Sequence, residues 1–149
     1  MKIRILASTC IIFTFFWVNS ILPTSQTGKI TIYLENIQVD RPGQLIIGLF
    51  DKEKGFPDTR KAIKLYRLDI STEITANFSG LNYGEYAIVA VHDENNNGKM
   101  DMKWLPFPHP GEGFSVSNQR FSSFSPPQFQ KAKILLDKNE LKITLKMIY

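Results

Sequence analysis

The run Asp93-Glu94-Asn95-Asn96-Asn97-Gly98-Lys99-Met100-Asp101 carries the densest oxygen chemistry in the chain. Oxygen-bearing side chains stand at positions 1, 3 and 5, a glycine at 6 and an acid at 9, which is the first part of a calcium loop. Alternate residues of a tight loop turn their oxygens inward, and Gly98 permits the bend that brings the Lys99 carbonyl round. The expected ligand set is therefore Asp93, Asn95, Asn97, Lys99 and Asp101. Trp104 stands at position 12, where an EF-hand places a bidentate glutamate, so such a site would be weak, with Kd of about 10⁻⁴–10⁻³ M. The competing reading is an Asx-rich turn, because Asn and Asp bond their own backbone and tolerate left-handed conformations. Both readings stand at this point.

His92 and His109 are the only histidines. With Asp93 they define an alternative function, a hydrolase or metal-dependent enzyme in which imidazole and carboxylate serve as base, acid or ligands. Neither spacing matches a known ligand pair, and a histidine at a strand end is more often hydrogen-bonded scaffolding. No Gly-x-Ser-x-Gly, phosphate loop or His-Glu-x-x-His is present.

A third group is aromatic. Between residues 102 and 130 no strand is evident, yet Trp104, Phe107, Phe114, Phe121, Phe124 and Phe129 occur there among several prolines. A loop this long is usually functional. Its aromatics either close an open side of the fold or form a binding flap, with Trp104, Phe107, Phe114, Phe121 and Phe124 facing a ligand.

The elements that must hold these groups are strands. Ile30, Ile32 and Leu34 alternate with polar residues, as do Ile74, Ala76 and Phe78, and Leu141, Ile143, Leu145 and Met147. Residues 45–50 and 86–92 are apolar on both faces and so central. Residues 63–70 change phase between Leu65 and Leu68, which predicts a bulge or a short helical start. Leu81-Asn82-Tyr83-Gly84-Glu85-Tyr86 has the form of a corner at which a tyrosine ties a turn to the backbone. About seven short strands predict an all-β immunoglobulin-like or transthyretin-like sandwich over residues 28–149.

The first 20 residues read as an address. Lys2 and Arg4 precede an apolar run over residues 5–18, then Asn19 and Ser20, the form of a secretory signal peptide; residues 21–27 are a linker. The run is short for a bilayer span, so membrane association is expected only if it stays uncleaved. Cys10, the only cysteine, lies inside it, and the exported chain would carry no disulfide. The 149 residues bear a formal charge of +4. Removing Lys2 and Arg4 leaves sixteen basic against fourteen acidic residues, too even and too scattered for nucleic acid.

Gly48-Leu49-Phe50, Gly55-Phe56-Pro57, residues 81–86, residues 92–101, residues 110–115 and Pro126-Pro127 with Phe129 stand in an order that resembles a bacterial family of exported proteins, domain of unknown function 2141. The resemblance spans about residues 28–149 and implies an all-β exported domain, with no activity or catalytic residue to carry over. The resulting expectation is a periplasmic or secreted non-enzymatic β-sandwich, calcium-rigidified through the Asp93 loop, that binds an unidentified protein or polymer.

Overall fold

The computed structural model describes residues 26–103, 109–119 and 126–149. Its first sheet is built on β1 (Thr27–Glu35), flanked by β4 (Ile74–Asn82) and, in parallel, by β10 (Glu140–Lys146). The registers place Ile30 beside Leu141 and Phe78, Ile32 beside Ile143 and Ala76, and Leu34 beside Leu145 and Ile74. Period-two alternation therefore stacks three apolar rows on one face of the sheet. The register shifts between Gly28 and Ile30, opposite Ser79 and Gly80. Gly80 takes φ +66, the left-handed backbone that glycine accepts without a Cβ penalty.

The second sheet runs in the order β3 (Lys64–Asp69), β2 (Gln44–Phe50), β5 (Gly84–Asp93) and β8 (Gly113–Val116), with β9 (Ile134–Leu136) on the first residues of β5. A two-residue pair, β6 (Met102–Lys103) and β7 (His109–Pro110), stands apart. Seven of these strands have four or more residues, and the two main sheets face each other as an all-β sandwich.

The sheet of β2 and β5 is covered on both sides, which is why its strands are apolar throughout. Leu45, Ile47, Leu49, Tyr86, Ile88 and Ala90 meet the first sheet in the main core, with Ile30, Ile32 and Leu145, and with Ile143 packed against it. Ile46, Phe50, Ala87, Val89 and Val91 form a second core on the opposite face, with Phe114, Val116, Phe129 and Ala132. Phe56 links Phe50 and Phe129 by edge-to-face contacts at 5.2 and 5.8 Å. The Tyr86 hydroxyl donates to the Asn82 carbonyl at 2.8 Å, so the tyrosine corner read from the sequence is formed.

Two expectations are corrected. Residues 64–69 form a regular edge strand with no register shift; Leu65 packs into the second core and Leu68 into the first. The phase change reflects two buried faces. The helical start is a 3-10 turn at Thr59–Lys61, ahead of the strand and capped by the Asp58 carboxylate. The stretch after residue 102 is also not strandless, since it holds β6, β7, β8 and a one-turn helix, α1 (Phe129–Ala132). These elements have two to four residues, too few to display a period.

Candidate functional site

One end of the sandwich is polar and buried, and it is built where β5 terminates. His92 and Asp93 are its last residues, both 0% exposed. β2 starts with Gln44 opposite Asp93, and β8 starts with Gly113 opposite His92. Two glycines make the end possible. Gly43 holds φ +108, and a Cβ there would lie 2.1 Å from the Asp93 carbonyl oxygen. A Cβ on Gly113 would lie 2.4 Å from the Tyr149 ring.

His92 is fixed through both ring nitrogens. Nε2 lies 3.1 Å from the Pro42 carbonyl oxygen, which can only accept, so Nε2 carries the proton. Nδ1 then accepts from the Tyr149 hydroxyl at 2.9 Å, and that hydroxyl accepts the Gln38 N–H at 3.0 Å. The Arg41 guanidinium lies over the Tyr149 ring at 4.9 Å and donates to Glu94 at 2.7 Å. Burial pushes the Tyr149 hydroxyl above the ordinary tyrosine range. An imidazole so enclosed offers no lone pair to a substrate and acts as scaffold.

Asp93 organises the loop that follows. Its Oδ1 accepts the Asn97 N–H and its Oδ2 the Gly98 N–H, both at 2.9 Å, while the Gln44 amide donates to Oδ2 at 3.1 Å. Asn95 Oδ1 accepts the Asn97 N–H and Asn97 Oδ1 accepts the Lys99 N–H, each at 3.0 Å. With both amide oxygens on backbone donors, both Nδ2 groups turn to Asp101, donating to its Oδ2 at 2.7 Å from Asn95 and 2.9 Å from Asn97. These bonds hold the Asp101 carboxyl below its ordinary range, with the Lys99 charge assisting. Asn96 and Gly98, at φ +58 and +79, supply the left-handed turns.

Sequence reasoning missed Glu112. Its carboxylate is 5% exposed and clamps both ends of the loop, Oε1 accepting the Glu94 N–H at 3.0 Å and Oε2 the Asp101 N–H at 2.9 Å. Burial pushes this carboxyl up against the opposing pull of those two bonds, and the charges of Asp101 and Asp93 push it the same way. The available signal was an acid between two glycines, Gly111-Glu112-Gly113, just before a buried strand.

The structure thus brings Asp93, Asn95, Asn97 and Asp101 together, with side chains at alternate positions meeting inside one loop. Oxygens of these types are what a hard cation takes, but here both amide oxygens face backbone N–H groups and it is the amide nitrogens that face Asp101. Among the described residues no group of three or more His, Cys, Asp or Glu is arranged to hold a metal. His109 lies in β7 opposite Lys103. Phe114 is 1% exposed and belongs to the second core with Val89, Val91, Val116 and Phe129, not to a binding surface, because β8 pairs with β5 in the buried sheet. Trp104, Phe107, Phe121 and Phe124 lie outside the described residues.

Fold and site together define an all-β sandwich protein with one buried polar end from which an Asp/Asn-rich loop projects. The chain belongs to the family described as uncharacterized protein conserved in bacteria (DUF2141), whose model matches residues 32–144. No curated protein and no solved structure matches it.

Proposed function

We propose that this chain is an exported, non-catalytic β-sandwich module of the periplasm or the extracellular space, whose Asp93–Asp101 loop takes calcium. The observation that carries the reading is that Asp93, Asn95, Asn97 and Asp101 are gathered into one hydrogen-bonded loop whose first residue is locked to the core. A cation would offset the charge of Asp93 and Asp101, and to ligate it both amides must turn over, exchanging the Nδ2 groups that now face Asp101 for their oxygens. The enclosed His92 ring speaks for scaffold over catalysis.

Export rests on the basic head, short apolar run and small residues of the first 20 positions. An uncleaved first segment would tether the module to a membrane instead. Among the described residues no helix is long and apolar enough to cross one. Trp104, Phe107, Phe121 and Phe124 are the residues assigned to meet an unidentified protein or polymer, because a stretch of sequence dense in aromatics and prolines favours contact at low entropic cost. Trp17 lies in the address segment, so Trp104 is the single tryptophan of the exported chain and its fluorescence reports on that stretch.

The test is a thermal melt of the exported protein in chelator and in calcium. At free calcium ten times Kd, binding to the folded state contributes about 1.4 kcal/mol, a shift of roughly 5 °C for a domain of this size. Asp101→Ala should abolish the calcium-dependent shift while the protein still melts cooperatively in chelator. An unchanged wild-type melt in millimolar calcium would reduce the loop to an Asx turn. Recovery of full-length protein with Met1 intact from the cytoplasm would overturn export.

A further inference from the structure

Asn97 is exposed and precedes Gly98, and a Cβ on Gly98 would meet nothing within 4 Å. Asparagine before glycine is the pair in which a side-chain amide is most open to attack by the next backbone nitrogen, because no side chain shields that nitrogen. In that reaction the Gly98 nitrogen gives up its proton to solvent base and bonds to Cγ of Asn97. The Cγ–Nδ2 bond breaks and Nδ2 leaves as ammonia. Water then opens the cyclic imide at either carbonyl, giving aspartate or isoaspartate; one water is consumed, one ammonia released, and no electron is transferred.

The fold opposes every step of this chemistry. The Gly98 N–H donates to Asp93 Oδ2 at 2.9 Å, so stripping its proton would leave a negative nitrogen against a carboxylate. The Asn97 side chain is pinned at both ends, with Oδ1 accepting the Lys99 N–H at 3.0 Å and Nδ2 donating to Asp101 Oδ2 at 2.9 Å. Rotation of Cγ over the Gly98 nitrogen requires both bonds to break.

We propose that Asn97–Gly98 is a deamidation site that Asp93 and Asp101 hold shut in the folded loop. Opening it is a one-way change. The new carboxylate at position 97 would stand where the amide now donates to Asp101, replacing a hydrogen bond with a like charge, so the modified loop cannot reclose as before. This inference is independent of calcium, since the steps use only groups of the loop, solvent base and water.

The experiment compares purified wild type and Asp101→Ala in mildly alkaline, calcium-free buffer, with urea-unfolded wild type as the reference. Peptide mass mapping of residue 97 and isoaspartate content are followed with time. Folded wild type should react far more slowly than the unfolded reference. Folded Asp101→Ala, which lacks one charge-assisted pin, should react roughly tenfold faster than wild type. Reaction of folded wild type at the unfolded rate, or of folded Asp101→Ala at the wild-type rate, overturns the proposal. Should Asp101→Ala fail to fold, Asn97→Asp provides an independent readout. It should melt below wild type in chelator, and an equal or higher melting temperature would overturn the claim that the modified loop cannot reclose.

Discussion

Tyr149→Phe removes one oxygen from the buried polar end and nothing else. The ring that packs against His92 and carries Arg41 is retained, so the apolar and cation–π contributions stay nearly constant. Two partners are lost, His92 Nδ1 at 2.9 Å and the Gln38 N–H at 3.0 Å. His92 is 0% exposed, so its Nδ1 is left without a donor and without water, a desolvation cost of about 1–3 kcal/mol. Gln38 is half-buried and recovers part of its bond from solvent, which adds about 1 kcal/mol. The expected loss is about 2–4 kcal/mol, read as a lower urea midpoint at unchanged slope.

A second signature comes from alkali. Burial raises the folded hydroxyl above its ordinary 10.0. A tyrosine so raised contributes stability that is complete below about pH 10 and lost as pH rises through the folded value. Phenylalanine has no proton to lose, so the gap between wild type and variant should narrow above pH 10. A variant within about 0.5 kcal/mol of wild type, or a gap that stays constant in alkali, would refute the hydroxyl bridge.

Gly43→Ala should cost about 3 kcal/mol or more by urea titration, since φ is +108 and the added methyl would lie 2.1 Å from the Asp93 carbonyl oxygen, a backbone atom that cannot swing aside; a near-wild-type midpoint would disprove the close approach. Glu112→Ala should cost about 2–3 kcal/mol, because the Glu94 and Asp101 N–H groups lose their acceptor, partly offset by relief of a buried charge. Burial raises the Glu112 carboxyl above 4.5, so the stabilisation linked to its proton is fully present below about pH 4.5 and is lost as pH rises through the folded value. Wild type should therefore gain on Glu112→Gln as pH falls from 7 to 4.5, and an identical difference at both pH values would contradict the shift. Ile88→Ala, at the centre of the main core, should cost about 3–4 kcal/mol by the same titration.

What the sequence determined was the sandwich and the residues of its cores. Alternation in residues 30–34, 74–78 and 141–147 places one face of each strand inward, and short apolar runs such as 45–50, too short for a buried helix, fit strands covered twice. Both follow from local rules, the two-residue period of a strand and the cost of leaving apolar surface in water. The tyrosine corner at Tyr86 was equally legible, since a turn and its tie lie within six residues. Proximity made the loop visible as well, because Asp93, Asn95, Asn97 and Asp101 lie within nine residues and their meeting needs only a tight turn.

Only the tertiary structure decided what those loop residues lean on. Glu112 reaches the loop from beyond β7, Tyr149 reaches His92 across 57 residues, and Gln44 meets Asp93 because β2 and β5 pair in one register. Sequence carries no periodic trace of such contacts, since they are fixed by how two sheets stack and where each strand ends. The same holds for Leu65 and Leu68, whose conflicting phase was resolved by a second core on the outer face of their sheet. Phe114 was misplaced for a related reason. Four residues buried on both faces show no alternation, so a core strand reads like a loop until its partner β5 lies beside it.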